Sequence, residues 1–238
     1  MAKESRVEHL RKELEGMGMY KALMALDYMI SIMNANNGYK RKDGSNYYYH
    51  LVDSTQDLIN NGIRDEVTLT ACLLHDFVED VSWADIRTVK LFFGYEVAEI
   101  VDLVTKSDTI DYRDEYNLQQ YLDRILTNVK ACLVKTADRK HNFSTLYATS
   151  SSHEIKQANE TERFFIPFFK KARKLYPEYS AYFHSAKTTI MPHLKRIQKA
   201  HEDEKRFKKR IAELEMKLEQ ERKRNKALEN KIRKGGGS

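Results

Sequence analysis

The sequence feature that most constrains this chain is an apolar run that ends in four ionisable residues. Leu69-Thr70-Ala71-Cys72-Leu73-Leu74 is followed directly by His75-Asp76-Phe77-Val78-Glu79-Asp80. Read as one helix, the stretch places Glu79 four residues after His75 and Asp80 four residues after Asp76, so each pair shares a face. The apolar turns favour burial, but burying carboxylates together is costly unless a cation or a proton neutralises them. The stretch predicts a divalent-metal site or, on the simpler interpretation, an acidic helix end at the surface.

Composition favours a helical protein that buries one sizeable core. The chain has 238 residues, of which 41% are hydrophobic, and only 9 are Gly and 3 are Pro. Few turn-forming residues disfavour an all-β fold, and the length suits one domain with an appendage. Residues 201–234 hold 13 Lys/Arg and 8 Asp/Glu, so they carry five of the six net positive charges. The rest of the chain is nearly neutral, which argues against a nucleic-acid partner.

Cysteine usage and hydropathy indicate a cytoplasmic, soluble protein. Cys72 and Cys132 both lie in apolar runs and show no C-x-x-C spacing, which predicts buried free thiols and a reducing compartment. The apolar stretches are short and interrupted by charge, so neither a membrane span nor a signal peptide is expected.

Helical periodicity predicts successive helices along most of the chain. We expect helices over about 20–35, from Tyr47 to about Asn60, and over 83–93 with Ser82 as the N-cap. The apolar run Val129–Ala137 ends in the polar residues Asp138-Arg139-Lys140-His141-Asn142, and two more helices are expected over about 153–175 and 178–200.

From about residue 197 onward, the apolar positions adopt the 4-3 spacing of a coiled coil. Ile211, Leu218, Asn225 and Ile232 fall at a, whereas Phe207, Leu214, Glu221 and Leu228 fall at d. A single Asn at a is a known device for fixing a parallel two-stranded register. The spacing predicts a homodimer through this helix; the alternatives are an exposed single helix and a surface that recruits a partner. The terminal Gly235-Gly236-Gly237-Ser238 resembles a flexible linker.

Three motifs occur in order along the chain and together carry a family resemblance. They are Arg41-Lys42-Asp43-Gly44-Ser45-Asn46-Tyr47-Tyr48-Tyr49-His50, then His75-Asp76-Phe77-Val78-Glu79-Asp80, then Ala137-Asp138-Arg139-Lys140-His141-Asn142. Over roughly residues 20–170 the chain resembles the hydrolase domain of the Rel/SpoT alarmone enzymes, which are HD phosphohydrolases. The expected fold is all-α: a compact HD-domain helical bundle over residues 1–196, a basic coiled-coil helix over 197–234 and a linker-like tail over 235–238.

The resemblance implies a metal-dependent hydrolase that removes the 3′-pyrophosphate of guanosine tetra- or pentaphosphate. It implies that one metal ion, typically manganese (Mn2+), is held by His50, His75, Asp76 and Asp138. It also implies that the attacking water is handled by Glu79 and Asp80. Arg41 matches a position that stacks on the guanine base, and nucleotide-contacting positions are matched by Asn142 and Thr145. Positive charge for the polyanionic substrate is expected from Arg41-Lys42 and Arg139-Lys140.

The chain departs from the family pattern at two places, and other functions stay open. Gly44-Ser45-Asn46-Tyr47 stands where Gly-Glu-Pro-Tyr is usual, and Val81 stands where Thr is usual. The first change lies beside the base-binding loop, so the choice of nucleobase is less constrained. One alternative is an HD phosphohydrolase acting on another nucleotide, such as the 2′-phosphate of NADPH or a pyrophosphorylated RNA 3′ end. A second is a non-catalytic nucleotide-binding module that dimerises through its C-terminal helix.

Overall fold

The computed structural model describes the backbone of residues 2–235 and the side chains of residues 5–231. Within this range the chain is helical, and its β-type pairing is limited to an isolated antiparallel bridge between Lys40 and Asn46. The α-helices of the described residues are, in order, α1 (Ala2–Gly16), α2 (Tyr20–Ile32), α3 (Tyr48–Asn60), α4 (Glu66–Leu74), α5 (Phe77–Asp80), α6 (Ile86–Phe93), α7 (Tyr95–Val104), α8 (Glu115–Ile125), α9 (Val129–Ser144), α10 (Ser151–Glu160), α11 (Ile166–Leu175) and α12 (Ser180–Gly235). A π-helical segment, Thr161–Phe165, joins α10 to α11. The predicted all-α class is confirmed.

The chain divides into two compact units, Met1–Leu194 and Lys195–Ser238. The first unit contains α1 to α11 and the start of α12, and the second consists of the remainder of α12. The division lies two residues before the predicted boundary at 196/197. Apart from the backbone of Gly235, the linker-like tail lies outside the described residues. No helix in the described part of the chain is both long and apolar enough to cross a bilayer.

Helix α4 forms the centre of the first unit. Its residues from Thr68 to Leu74 are all buried, and it packs against α2, α3, α7 and α9. A helix that is apolar around its whole circumference has no face for solvent, which explains the central position. Asp65 caps its first turn by accepting from the Thr68 backbone N–H at 2.8 Å. The C-terminal end of α4 therefore delivers His75 into the interior of the protein.

The stretch from Leu69 to Asp80 is not one helix, contrary to the sequence-based expectation. Helix α4 ends at Leu74, and the four-residue helix α5 begins at Phe77. The break has a local cause, because His75 Nδ1 donates to the Cys72 carbonyl oxygen at 2.6 Å. An uninterrupted helix would pair that carbonyl with the backbone N–H four residues on, so the ring competes with helix continuation.

Some other helix boundaries differ from the predictions. Ser82 is not the N-cap of a helix over 83–93: α6 begins at Ile86, and Asp85 caps it by accepting from the Thr88 backbone N–H at 2.7 Å. A carboxylate three residues before a free N–H is the stronger cap here. The single helix expected over about 153–175 is divided into α10, the π-helical segment and α11. Helix α9 contains the apolar run Val129–Ala137 and continues through the polar residues after it to Ser144.

The second unit is a single helix whose apolar stripe faces solvent in this chain. Phe207, Ile211, Leu214, Leu218 and Leu228 are 48–59% exposed, whereas the Ile232 side chain lies outside the described residues. The two cysteines of the first unit, Cys72 and Cys132, are free and buried, as predicted.

Candidate metal centre and substrate cavity

Two adjacent side chains between α4 and α5 reach one point. His75 Nε2 lies 3.3 Å from Asp76 Oδ2. Both residues keep right-handed helical backbone angles, with φ −61° and ψ −30° at His75 and φ −97° and ψ −1° at Asp76. The turn between the two helices thus places an imidazole nitrogen and a carboxylate oxygen side by side.

Helices α3 and α9 bring the remaining two donors to the same point. His50 Nε2 lies 3.1 Å from His75 Nε2 and 3.4 Å from Asp76 Oδ2. Asp138 Oδ1 lies 3.3 Å from His50 Nε2 and 3.6 Å from His75 Nε2. His50, His75 and Asp138 are buried, and their donor atoms lie within 4.8 Å of one another. The structure thus brings together all four residues predicted as metal ligands.

Hydrogen bonds to the other ring nitrogens leave both Nε2 atoms available as ligands. Because His75 Nδ1 donates to a carbonyl, Nε2 is the nitrogen that carries the lone pair when the ring is neutral, as it is in a metal-bound histidine. His50 Nδ1 lies 2.7 Å from His141 Nδ1, and His141 Nε2 lies 3.3 Å from Asp53 Oδ2. With Asp53 accepting from His141, His141 accepts in turn from His50, and this fixes the His50 tautomer. Arg6 completes the chain with an ion pair to Asp53 at 2.5 Å. Such outer contacts orient metal-binding imidazoles in proteins.

The buried donor cluster contains two carboxylates, and the charges around them favour the presence of a cation. Burial lowers the pKa of His50 to about 4, despite the opposing effect of the carboxylates of Asp138 and Asp76. Burial also disfavours the charged form of His75, but Asp76 and Asp138 outweigh it and raise the pKa of His75. Lys135, whose Nζ lies 2.7 Å from Asp138 Oδ2, leads the charges that hold the pKa of Asp138 low against its burial. Two imidazole nitrogens and two carboxylate oxygens at 3.1–3.6 Å spacing are a donor set that a divalent metal ion would fit.

Glu79 and Asp80 lie on α5, directly beside the donor cluster, and both line the adjoining cavity. Glu79 Oε2 accepts from the Lys106 backbone N–H at 3.1 Å, which ties α5 to the segment after α7. Burial, and then the charge of Asp76, raises the pKa of Asp80 to about 6. Tyr47, which also lines the cavity, donates its hydroxyl to Asp76 Oδ2 at 2.8 Å.

The donor cluster opens into a cavity of about 540 Å³. A cavity of this size is typical of a site for a small molecule. Its lining includes seven basic side chains: Arg6, Lys40, Arg41, Lys42, Lys106, Lys135 and Arg139. It also includes seven carboxylates: Asp43, Asp53, Asp76, Glu79, Asp80, Asp138 and Glu160. The cavity therefore combines a candidate cation site with basic groups that can contact an anion, and its formal charge is balanced without a metal ion.

Three residues predicted to contact a nucleotide meet at one end of this cavity. Arg41 Nη2 donates to Asn142 Oδ1 and to Thr145 Oγ1, both at 3.1 Å. The Arg41 guanidinium lies 5.5 Å from the centre of the Tyr47 ring. Arg41 belongs to a tight loop in which its backbone N–H donates to the Ser45 carbonyl at 2.8 Å, and Gly44 adopts a positive φ of 80°. The position of Arg41 is therefore fixed by contacts of both its side chain and its backbone.

The residues that depart from the family pattern lie in the loop before α3 and directly after α5. Asn46 accepts from the Ala35 backbone N–H at 2.7 Å and donates to the Tyr48 hydroxyl at 3.0 Å, so it holds the loop. Ser45 lines the cavity and donates to Asp43 at 2.6 Å. Val81 is buried after α5 and is not one of the cavity-lining residues. The loop change thus affects the cavity wall through Ser45.

The other predicted basic residues occupy different environments. Lys42 is exposed and lines the cavity. Arg139 is buried in the wall, where it donates to Glu160 and Gln157 at 2.7 Å and lies 3.5 Å from the Phe165 ring centre. Lys140 contacts Asp57 at 2.5 Å and is not among the cavity-lining residues.

Two cavity lysines were not assigned from the sequence. Lys135 precedes Asp138 by one helical turn, a spacing that could have indicated the ion pair. Lys106 follows α7 and lines the cavity, and its signal in the sequence is that Val104-Thr105-Lys106 fits the family pattern.

Comparison with known proteins agrees with this geometry. The profile of the HD domain family matches residues 25–174. The bifunctional (p)ppGpp synthase/hydrolase SpoT of Escherichia coli (strain K12) is 32% identical over 139 residues, which are 56% of this chain and 20% of that protein. The GTP pyrophosphokinase rsh of Brucella ovis is 30% identical over 152 residues, 62% of this chain and 20% of that protein. The chain thus spans about a fifth of the length of these curated relatives.

A solved structure of a metazoan ortholog of SpoT that hydrolyses ppGpp superimposes with a TM-score of 0.54 and 22% identity. The match covers 76% of this chain and 95% of that one, and it shows a shared fold. Since the family profile spans more than half of the chain and includes all four clustered donors, this protein belongs to the HD domain family.

Proposed function

We propose that this protein hydrolyses the 3′-pyrophosphate ester of guanosine tetra- or pentaphosphate, giving GDP or GTP and pyrophosphate. The observation that carries the proposal is the convergence of His50, His75, Asp76 and Asp138 at the wall of a cavity that also contains seven Lys and Arg side chains. The similarity to a protein named as a (p)ppGpp synthase/hydrolase supports the choice of substrate.

The proposed cofactor is one divalent ion, Mn2+. Two imidazoles and two carboxylates leave positions for water and a phosphate oxygen, an arrangement that suits manganese better than a closed structural zinc site. When bound, such an ion lowers the pKa of water and stabilises charge on a phosphoryl group.

The proposed catalytic residues are Glu79 and Asp80, acting on the attacking water. Water attacks the phosphorus attached to the ribose 3′ oxygen, the bond between them breaks, and pyrophosphate leaves while the 3′ oxygen gains a proton. Glu79 is anchored by the Lys106 backbone N–H and faces the cavity, so it is placed to accept a proton from water. Asp80, with a pKa of about 6 in this structure, can exchange protons near neutral pH.

The proposed base-binding end is formed by Arg41 with Asn142 and Thr145. A planar guanidinium held by two hydrogen bonds can stack on a purine without losing side-chain freedom on binding. Lys42 is exposed at the cavity and would meet the 5′ phosphates. Arg139, with its guanidinium engaged by Glu160 and Gln157, would act mainly through the positive potential of the wall.

A nucleotide panel tests the substrate. Purified protein is incubated with guanosine tetraphosphate, NADPH or an RNA with a pyrophosphorylated 3′ end, with Mn2+ or with a chelator, and products are separated by anion exchange. We expect the fastest turnover with guanosine tetraphosphate and release of pyrophosphate rather than orthophosphate. Much faster cleavage of NADPH or of the RNA end would refute the alarmone assignment, and no cleavage of any member would refute the enzyme.

We also propose that the protein is a homodimer through α12. The exposed a and d stripe of the second unit supports this, and Asn225 would face its mate at an a position. In a parallel pair, Arg210 would face Glu215 and Arg224 would face Glu229 of the partner, which is attractive. Lys217 would face Arg222 and would weaken the pair.

Oligomeric state tests the dimer directly. Light scattering should give a dimer mass for the full chain and a monomer mass for Leu218→Glu, which places a charge at the centre of the stripe. Glu219→Ala, at the next and outward-facing position, is the control and should stay dimeric. One mass for all three proteins would contradict the coiled coil.

A further inference from the structure

Helix α9 arranges the cavity in a fixed order. Lys135, Asp138 and Asn142 follow each other at three- and four-residue spacing, so they share one face, and all three line the cavity. Asp138 belongs to the donor cluster, while Asn142 holds Arg41 one turn further along. Lys135 lies one turn before Asp138, on the side away from Arg41. Seven residues of helix span about 10 Å, so the two ends of this row are well separated.

Lys106 lies at the Lys135 end of the row. Its Nζ is 5.4 Å from the ring centre of Tyr112 and 5.7 Å from that of Tyr121. Lys135 Nζ contacts the same Tyr121 ring at 5.6 Å. The backbone N–H of Lys106 donates to Glu79, so the residue is fixed beside the proposed catalytic carboxylate.

Lys106 differs from the other cations of the inner cavity because it lacks a counter-ion. Lys135 is paired with Asp138, and Arg139 is paired with Glu160. In the part of the chain that the structure describes, the ion pairs within 4.0 Å include none to Lys106. Burial, followed by the charges of Lys135 and Arg139, lowers the pKa of Lys106, and the more weakly acting carboxylates of Glu160 and Glu79 do not offset this. A bound anion would relieve that repulsion and satisfy the ammonium group.

We infer that Lys106 binds the distal phosphate of the diphosphate group that is cleaved, at the end of the cavity opposite Arg41. The inference rests on the proposed function and adds a direction to it: base at Arg41, attacked phosphorus at the Asp138 donors, and distal phosphate at Lys106. Lys106 would then distinguish a diphosphate from a monophosphate on the same ribose oxygen. It contacts substrate in this arrangement and holds no metal.

The distinguishing experiment uses two ligands that differ by one phosphate. The Mn2+–pyrophosphate complex and inorganic phosphate are titrated into the loaded protein at one fixed free Mn2+ concentration, and heat is measured. Lys106→Met should bind the pyrophosphate complex roughly 10–100-fold more weakly, the scale of one hydrogen bond to a charged group. Phosphate binding should change less than about threefold, because the attacked phosphate alone does not reach Lys106. Lys106→Arg should recover most of the loss.

The control is Lys90→Met, since Lys90 also lies over a tyrosine ring, 5.1 Å from the centre of Tyr95, but does not line the cavity. It should leave both affinities unchanged, and circular dichroism checks that each variant is folded. Equal loss of both ligands in Lys106→Met, or no loss of either, would overturn the subsite.

The experiment can distinguish failure of the Lys106 subsite from failure of the proposed reaction. If the nucleotide panel shows no turnover while pyrophosphate binding still depends on Lys106, the reaction is wrong and the subsite stands. If guanosine tetraphosphate is cleaved but Lys106→Met binds pyrophosphate as the wild type does, the reaction stands and the subsite is wrong. As a kinetic counterpart, Lys106→Met should lower kcat/KM for a 3′-diphosphate far more than for the matching 3′-monophosphate.

Discussion

Lys135→Met gives the sharpest prediction about the donor cluster. Lys135 Nζ lies 2.7 Å from Asp138 Oδ2, and the two side chains are only 10% and 6% exposed. Methionine keeps the length and volume of the side chain but removes the charge. In the metal-free protein, Asp138 would then be a buried carboxylate that has lost its lysine counter-charge.

The expected loss of stability follows from this geometry. Removing one partner of a buried ion pair costs about 3–5 kcal/mol, because the remaining charge stays desolvated. For a chain of this size, that corresponds to a fall in Tm of roughly 6–20 °C. The matched control is Lys130→Met on the same helix, whose ion pairs to Glu96 at 2.6 Å and Asp65 at 3.1 Å lie at the surface. It should cost about 0–1 kcal/mol.

Metal binding should reverse part of the loss, and this separates an electrostatic role of Lys135 from simple packing. A divalent ion at the donors would supply the positive charge that Lys135 no longer provides, so the variant should bind Mn2+ more tightly. Each tenfold gain in affinity adds about 1.4 kcal/mol of stability at saturating metal. Urea unfolding in chelator and in excess Mn2+ therefore should show a smaller gap between wild type and Lys135→Met when metal is present. An unchanged or wider gap would refute the reasoning.

Four further variants test other parts of the site. His75→Ala should abolish metal retention and hydrolysis while the helical circular dichroism is kept; metal content and product release measure this, and full activity would contradict the centre. Glu79→Gln should retain the metal but turn over roughly 10²–10⁴-fold more slowly, and a joint loss of metal and rate would make Glu79 a ligand instead. Asp53→Asn should weaken metal binding about 10–100-fold by loosening the His50 tautomer. Asp27→Asn, in the surface pair with Arg11, is its control and should bind metal normally. Arg41→Ala should mainly raise KM with little change in kcat, whereas an unaltered KM would argue against stacking.

The convergence of the four proposed ligand residues could be predicted from the sequence, but the helix break between α4 and α5 could not. Ordered motifs identified His50, His75, Asp76 and Asp138, and the structure brings them together. The helical pattern across Leu69 to Asp80 continues through the point where the backbone breaks. Hydrophobic periodicity depends only on the order of apolar and polar residues. It therefore cannot show that a histidine ring nitrogen donates to the carbonyl three residues earlier.

Adjacency in sequence was a poor guide to the cationic residues of the cavity. Arg139 and Lys140 flank a ligand in the chain, yet Arg139 is buried with Glu160 and Lys140 contacts Asp57. Neighbours on a helix point in different directions, so a basic pair beside a motif cannot serve one ligand together. The lysines beside the donors come instead from one turn earlier on α9, at Lys135, and from a distant segment, at Lys106.

The proposed metal site is also connected to a helix outside the family match. The HD domain profile begins at residue 25, whereas Arg6 lies on α1 and reaches Asp53 on α3. Asp53 is the acceptor that orients His141, and His141 sets which nitrogen of His50 faces the donors. These contacts form a chain from the exposed Arg6 through Asp53 and His141 to the buried His50. Helix α1 therefore affects the position of His50 through polar side-chain contacts as well as through packing. The side-chain contacts that set the tautomer of His50, one of the four proposed ligands, therefore extend beyond the matched segment to the first helix.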